Sequence, residues 1–238
     1  MKVDILAIGA HPDDIELMCS GTLLKHIALG KVVGMLDLTA GELGTRGTAE
    51  LRKKEAAKAA KIIGVAFRDN LGMKDGAFRN DSEHQVAIIK KIRQYRPEII
   101  LCNAIRDRHP DHGRAAQLVS EACFYSGLRK ITSTLNGKRQ EAWRPKAVYH
   151  SIQDRYIEPD FVIDVSPFVK KKMQAILAFT SQFYNPGSKE PNTPISSQLF
   201  LESLHARMID FGRTIGVNYA EGFTVERHLG VQNLFDLI

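Results

Sequence analysis

Short apolar runs alternate with longer helical patterns along the first half of the chain, and this alternation constrains the fold most strongly. Neighbouring parallel strands need a crossover connection, which is usually a helix. The sequence therefore predicts repeated strand-helix-strand units around a mainly parallel sheet. The predicted strands are Val3 to Ile8, Val32 to Leu38, Val65 to Asn70 and Ile99 to Asn103. The predicted helices between and after them follow Ser20, span Thr48 to Ile63 and Ser82 to Tyr95, and resume from Ala115.

The second half of the chain continues the same pattern. Two further strands, Ala147 to Ile152 and Phe161 to Val165, are expected to extend the parallel arrangement. Helical periodicity returns at Val169 to Thr180 and Gln198 to Arg213, separated by a loop with three prolines. The whole pattern predicts an α/β, Rossmann-like three-layer sandwich, and the 238 residues are expected to form a single domain, 1–238.

The charge balance is positive, with 33 Lys and Arg against 27 Asp and Glu, but the basic residues are dispersed. The densest run, Lys170 to Lys172, is expected on the solvated face of a helix, so we expect no nucleic-acid partner. Three cysteines, Cys19, Cys102 and Cys123, are an odd number with no close CxxC spacing, which favours a reducing compartment and a cytoplasmic location. No signal peptide and no apolar run of membrane-spanning length is evident, so no membrane partner is expected.

The first chemically informative segment follows the first predicted strand. His11, Asp13 and Asp14 occur there together. The carboxyl ends of parallel strands border the binding crevice of such folds, so we expect these side chains in a functional site. An Asp-capped turn after Pro12 would account for one carboxylate only.

A second polar segment, which holds His109, Asp111 and His112, follows the strand Ile99 to Asn103. In the common strand order 3-2-1-4, strands 1 and 4 are neighbours at the point where the order reverses. The two segments are therefore expected to form one site at the carboxyl ends of strands 1 and 4.

Together the two segments offer three imidazoles and three carboxylates, which favours a metal centre. Two histidines and one carboxylate with an open position describe catalytic zinc. The same set suits iron(II) or another divalent metal, and an iron oxygenase is an alternative, although that class is usually built on a jelly roll. A catalytically silent sugar-binding module is less compatible with the surplus acids and imidazoles.

The loop Thr39 to Gly47 has three glycines but neither nucleotide-binding fingerprint, so it is interpreted as a loop that lines the crevice. Arg52 lies one turn into the following helix, where its guanidinium could hold a carboxylate or polarise a carbonyl oxygen. A surface ion pair with Glu55 is the alternative, because the two residues lie three apart on one helix.

At these positions the chain resembles the PIG-L, or LmbE-like, family of zinc-dependent N-acetylglucosaminyl deacetylases, and most closely its bacillithiol-biosynthesis branch. The matching segments are Ala10 to Glu16, His109 to His112, Gly44 to Thr48 with Arg52 and Glu55, and Gly216 to Glu221. The resemblance implies that His11, Asp14 and His112 bind zinc, and that Asp13 is the general base. It also implies that His109 assists as a cation oriented by Asp111.

The resemblance further implies a substrate, N-acetyl-α-D-glucosaminyl L-malate, which would be hydrolysed to glucosaminyl malate and acetate. Arg52 and Arg108 are the candidates to bind this small anionic sugar conjugate. The alternative substrates are chitooligosaccharides or another N-acetylglucosaminyl conjugate. Some members of the family are hexamers, so a homo-oligomer is also expected.

Overall fold

The computed structural model describes residues 1–237. A seven-stranded sheet has the order β3-β2-β1-β4-β7-β9-β8, and a separate two-stranded hairpin joins β5 to β6. The strands are β1 (Ile5–Gly9), β2 (Val33–Thr39), β3 (Phe67–Met73), β4 (Ile99–Cys102), β5 (Thr134–Leu135), β6 (Lys138–Arg139), β7 (Ala147–Ser151), β8 (Phe161–Asp164) and β9 (Ala220–Val225). The helices are α1 (Asp14–Ala28), α2 (Ala49–Ile63), α3 (Ser82–Tyr95), α4 (Pro110–Ser126), α5 (Val169–Ile176) and α6 (Gln198–Thr214).

Helices cover both faces of the sheet, which confirms the predicted three-layer α/β fold. Strand β1 is buried along its whole length, as expected for a central parallel strand. Its alternate side chains point to opposite faces: Ile5 and Ala7 join one core with α1, α2 and α5, whereas Leu6 and Ile8 join another with α3 and α4. Two hydrophobic cores therefore clamp the central strands.

The predicted strand order 3-2-1-4 is confirmed, and β7 pairs in parallel with β4. The expectation of a continued parallel pattern is wrong at the far edge. Strand β9, which was not predicted from the sequence, inserts between β7 and β8 and is antiparallel to both. Its Glu221 and Gly222 interrupt the apolar pattern of the segment, so only pairing with two neighbours defines it as a strand.

Two predicted helix starts are corrected. Helix α1 begins at Asp14 rather than after Ser20. Residues 14–24 are all buried, so the first part of the helix lacks the amphipathic stripe that would have indicated it in the sequence. Helix α4 begins at Pro110, well before the expected Ala115. Helix α3 spans Ser82 to Tyr95 as predicted, and the Asp81 carboxylate caps it by accepting the N–H groups of Glu83 and His84.

The lysine run on α5 is only partly solvated. Lys170 and Lys171 are exposed as predicted, but Lys172 is 1% exposed and points into the protein. A buried ammonium needs partners of opposite charge or carbonyl oxygens, and Lys172 has both. Within residues 1–237, no helix combines the length and apolarity that crossing a bilayer requires.

Candidate metal and catalytic site

The structure brings the two polar segments together where β1 and β4 lie side by side. The side chain of Asn103, directly after β4, accepts a hydrogen bond from the Ala10 N–H at 2.9 Å and donates to Asp14 Oδ2 at 3.1 Å. This amide fastens the loop after β1 to the loop after β4. The site at the carboxyl ends of these strands is therefore formed by the backbone topology.

Asp14 lies between two imidazoles. Its Oδ1 is 3.1 Å from His112 Nε2, and its Oδ2 is 3.5 Å from His11 Nδ1. One ring nitrogen each of His11, His109 and His112 also lies within 4.8 Å of the others. Ligand atoms of a first-row metal at about 2 Å from the ion are separated by only a few ångströms. The nitrogens of His11, His109 and His112 are therefore spaced as ligands of one ion could be, and Asp14 lies within 3.5 Å of two of these rings.

The far nitrogens of both imidazoles face carboxylates. His112 Nδ1 is 2.6 Å from Asp107 Oδ2, whereas His11 Nε2 is 3.1 Å from Asp75 and 3.3 Å from Asp111. Carboxylates behind metal-binding histidines fix the ring orientation and raise the basicity of the ligand nitrogen. His11, Asp75 and Asp111 also form a second cluster of possible metal ligands. Because their facing atoms already pair, we interpret both acids as supports of His11.

The charges of this cluster favour a bound cation. Burial opposes ionisation of His112, but the Asp14 charge and the Asp107 hydrogen bond outweigh it and raise the pKa to about 9. Burial likewise opposes ionisation of Asp14, yet the two imidazoles hold its pKa well below the usual range. In the absence of a metal ion, protonated imidazole next to Asp14 supplies the positive charge that a bound metal ion would supply.

Asp13 lies next to these groups in a strained backbone conformation, with φ of 123°. Its carboxylate is buried and lies 2.8 Å from an Arg52 terminal nitrogen. Burial raises the pKa of Asp13 to about 6, although the Arg52 charge opposes the rise. Strain at a non-glycine residue and a pKa near neutrality are both typical of a catalytic base.

Arg52 is buried and does not form the alternative ion pair with Glu55. Its guanidinium donates to Pro12 O at 2.7 Å and to Gly41 O at 3.2 Å, besides its bond to Asp13. The Glu55 carboxylate instead accepts hydrogen bonds from Thr180 and Ser181. Arg52 therefore fixes the Asp13 loop, and it also lines the cavity.

His109 caps helix α4, and Asp111 does not orient its ring through the carboxylate. The His109 side chain accepts the Asp111 backbone N–H at 3.2 Å through Nδ1. The Asp111 carboxylate binds the Gly76 N–H, Arg114 and His11. Burial and the nearby charges of His11 and His112 lower the pKa of His109. Among the hydrogen bonds of residues 1–237, Asp111 thus meets the His109 ring through its backbone N–H, and the lowered pKa favours a neutral ring, whose proton would lie on Nε2 because Nδ1 accepts that N–H.

Arg108 lies at the mouth of the same cavity and is partly exposed. Its Nε donates to Asp154 Oδ2 at 2.7 Å. The cavity has a volume of about 280 Å³. One wall comes from the loop after β2, which includes Leu43 and confirms the prediction that this loop lines the crevice. Further lining comes from the loop before α6 and from α6 itself, with Ile195 and Phe200.

Sequence reasoning missed four polar residues that hold the site together. Asp107 and Asp75 support the two histidines, while Asn103 and Gln153 donate to the two oxygens of Asp14. Asp75 follows β3, and Asn103 and Asp107 follow β4, so the strand-end rule that located His11 also applies to them. Gln153 had no comparable signal.

Comparison with known proteins identifies relatives over most of the chain. The family model described as GlcNAc-PI de-N-acetylase, PIG-L, matches residues 6–123. Diacetylchitobiose deacetylase of Thermococcus kodakarensis is 27% identical over 92% of this chain and 81% of its own length. A probable N-acetyl-α-D-glucosaminyl L-malate deacetylase 2 of Bacillus anthracis is 25% identical over 75% of this chain and 81% of its own.

The crystal structure of the conserved protein TT1542 from Thermus thermophilus superposes with a TM-score of 0.84. Its sequence is 35% identical, and the alignment covers 97% of this chain and 98% of that protein. The matched family segment contains His11, Asp13, Asp14, His109 and His112. The fold, the clustered site and these similarities together show that the chain belongs to the PIG-L family of deacetylases.

Proposed function

We propose that this protein hydrolyses the acetamide of an N-acetylglucosaminyl conjugate, and that the conjugate is N-acetyl-α-D-glucosaminyl L-malate. The observation that carries the hydrolytic proposal is the position of Asp13, buried beside Asp14 and hydrogen-bonded to Arg52. A metal site with a further carboxylate of raised pKa beside the ligands is suited to activating water for attack on an amide.

His11, Asp14 and His112 would hold a zinc ion, with Asp107, Asp75 and Asp111 behind the two imidazoles. Zinc accepts this combination of ligands, and when bound it lowers the pKa of a coordinated water to about 7 and polarises the acetyl carbonyl. Its binding also removes protons from the two histidines, because only neutral imidazole is a ligand.

Asp13 accepts a proton from the attacking water and passes it to the nitrogen of the breaking C–N bond. Water thus supplies the oxygen of acetate and the hydrogens that complete acetate and the free amine. A pKa of about 6 suits both steps, since the group gains and loses its proton readily near neutrality. His109, neutral with its proton on Nε2, donates a hydrogen bond to the oxygen on which negative charge develops.

The malate assignment is supported by Arg108 at the mouth of the cavity, and by a relative whose name gives that activity. A partly exposed guanidinium can pair with a substrate carboxylate in place of Asp154. Chitooligosaccharides are the second candidate, favoured by the similarity to diacetylchitobiose deacetylase over 92% of the chain. The apolar wall with Leu43, Ile195 and Phe200 would suit the face of a second sugar.

The test follows amine release from the malate conjugate, diacetylchitobiose and N-acetylglucosamine by the zinc-loaded protein. We expect the highest kcat/KM with the malate conjugate and almost no turnover by Asp13→Asn. Arg108→Ala should raise KM for the malate conjugate about tenfold, as expected for a lost charged hydrogen bond, with little change for neutral sugars. Equal turnover of all three substrates would agree with the hydrolytic activity but refute the assignment of the malate conjugate as substrate.

A further inference from the structure

A buried ion pair inserts into the middle of helix α1. Glu221 of β9 accepts the N–H groups of Gly21 and Thr22 at 2.9 and 2.7 Å. Lys172 of α5 donates to the carbonyls of Glu16 and Leu17 at 3.1 and 2.7 Å, and to Glu221 at 2.7 Å.

These contacts involve backbone groups that a regular helix pairs with each other. The Gly21 N–H would ordinarily donate to the Leu17 carbonyl, four residues before it. Here the Glu221 carboxylate accepts a hydrogen bond from the Gly21 N–H, and the Lys172 ammonium donates one to the Leu17 carbonyl. Helix α1 is continuous over Asp14–Ala28, so the ion pair binds backbone groups in its interior: Lys172 binds carbonyls of the first half, and Glu221 binds N–H groups of the second half.

The close approach depends on Gly21. A Cβ at this position would lie 2.8 Å from Glu221 Oε1 and 2.9 Å from Val165 Cβ. Lys172 and Glu221 are 1% and 4% exposed, so solvent does not replace these contacts. Helix α1, Lys172 of α5 and Glu221 of β9 are far apart in the sequence, and together they place one ion pair against the backbone of α1.

The first turn of this helix carries Asp14, and Leu17 lines the cavity beside the site. Arg68 of β3 also contacts this turn, because its guanidinium binds the carboxylate of Glu16 together with that of Asp37. The backbone that positions Asp14 is therefore held by side chains from β3, α5 and β9.

We propose that Lys172 and Glu221 are positioning residues: their ion pair fixes the first turn of α1 so that Asp14 meets His11 and His112 at one metal ion. This inference rests on the proposed function in one respect, the assignment of Asp14 as a metal ligand. It gives a role to Glu221, within the segment Gly216 to Glu221 that the catalytic steps leave unused.

The experiment measures zinc affinity by chelator competition and backbone hydrogen exchange in Lys172→Met, Glu221→Gln and Gly21→Ala. The glutamine retains one acceptor oxygen, so it cannot accept both N–H groups as the carboxylate does. The alanine displaces the carboxylate without changing any charge. We expect faster exchange across residues 14–22 and zinc affinity reduced about tenfold, the lower range for lost supports of metal ligands.

Arg93→Met is the matched control. Arg93 is also a buried cation that binds backbone carbonyls, those of Ser126, Leu128 and Ile131, but it has no contact with α1 among the hydrogen bonds of residues 1–237. Its loss should lower the melting temperature while zinc affinity stays unchanged. If Lys172→Met behaves in the same way, the pair is structural only and the inference is wrong.

A fourth variant separates this inference from the metal assignment. Asp14→Asn should bind zinc far more weakly than the wild type, and unchanged binding would refute Asp14 as a ligand. The hydrogen-exchange comparison does not depend on zinc. Unchanged exchange in residues 14–22 of Glu221→Gln and Gly21→Ala would overturn the inference even if Lys172→Met failed to fold.

Discussion

Replacing Arg52 with methionine should move the pH dependence of catalysis upward. The Arg52 guanidinium lies 2.8 Å from the Asp13 carboxylate, and both side chains are buried. Two unit charges about 4 Å apart interact by about 4 kcal/mol at an effective dielectric constant of about 20. At about 1.4 kcal/mol per pKa unit, the loss of this attraction raises the pKa of Asp13 by about two to three units.

The direction of the effect follows from the role of Asp13, which must be ionised to accept a proton. With a pKa of about 6, the carboxyl of the wild-type protein is mostly ionised at neutral pH. In the variant its pKa would lie at about 8 to 9, so roughly a tenth or less would be ionised at about pH 7. We therefore expect kcat at neutral pH to fall about tenfold or more and to recover as the pH rises.

The assay is a pH profile of kcat at saturating substrate for the wild type, Arg52→Met and Glu55→Gln. Glu55 is buried on the same helix but binds Thr180 and Ser181 instead of Asp13. Its variant should retain the wild-type acidic limb even if the melting temperature falls. An Arg52→Met profile whose acidic limb stays within about half a pH unit of the wild type would refute the coupling between Arg52 and the base.

Two further predictions concern the supports of the site and of the fold. Asp107→Asn removes the carboxylate from His112 Nδ1 and should weaken zinc binding about 10- to 100-fold in chelator competition. Asp69→Asn, on β3, is the control and should leave the zinc affinity unchanged. Equal zinc affinities of the two variants would contradict the support of His112 by Asp107. Asp81→Ala should lower the urea midpoint of unfolding, because it removes the side chain that caps α3, while Ser82→Ala should lower it much less. The reverse ranking would contradict Asp81 as the cap.

Much of the fold was predictable because strand and helix periodicity are local properties. Alternation of apolar runs with helical patterns predicted the central strands, the order common to such folds agrees with the observed order, and the polar segments after β1 and β4 located the site. The predictions failed where local pattern is weak. The fully buried start of α1 has no polar face, and β9 acquires its identity from antiparallel pairing with β7 and β8.

The assignment of side chains to partners was decided by tertiary structure. From spacing alone, Arg52 fitted Glu55 as well as a substrate, yet burial placed it on Asp13. Asp111 lies two residues after His109 in sequence, but helix α4 turns its carboxylate toward His11, while its N–H binds the His109 ring.

By itself, the sequence determined the residue types at the carboxyl ends of β1 and β4, and with them a set of possible metal ligands and acids at one edge of the sheet. Only the tertiary structure decided that Lys172, in an exposed-looking lysine run, is buried in the pair that holds α1. The physical reason is that the free energy of a buried charge depends on its partners, and those partners lie far away in the sequence.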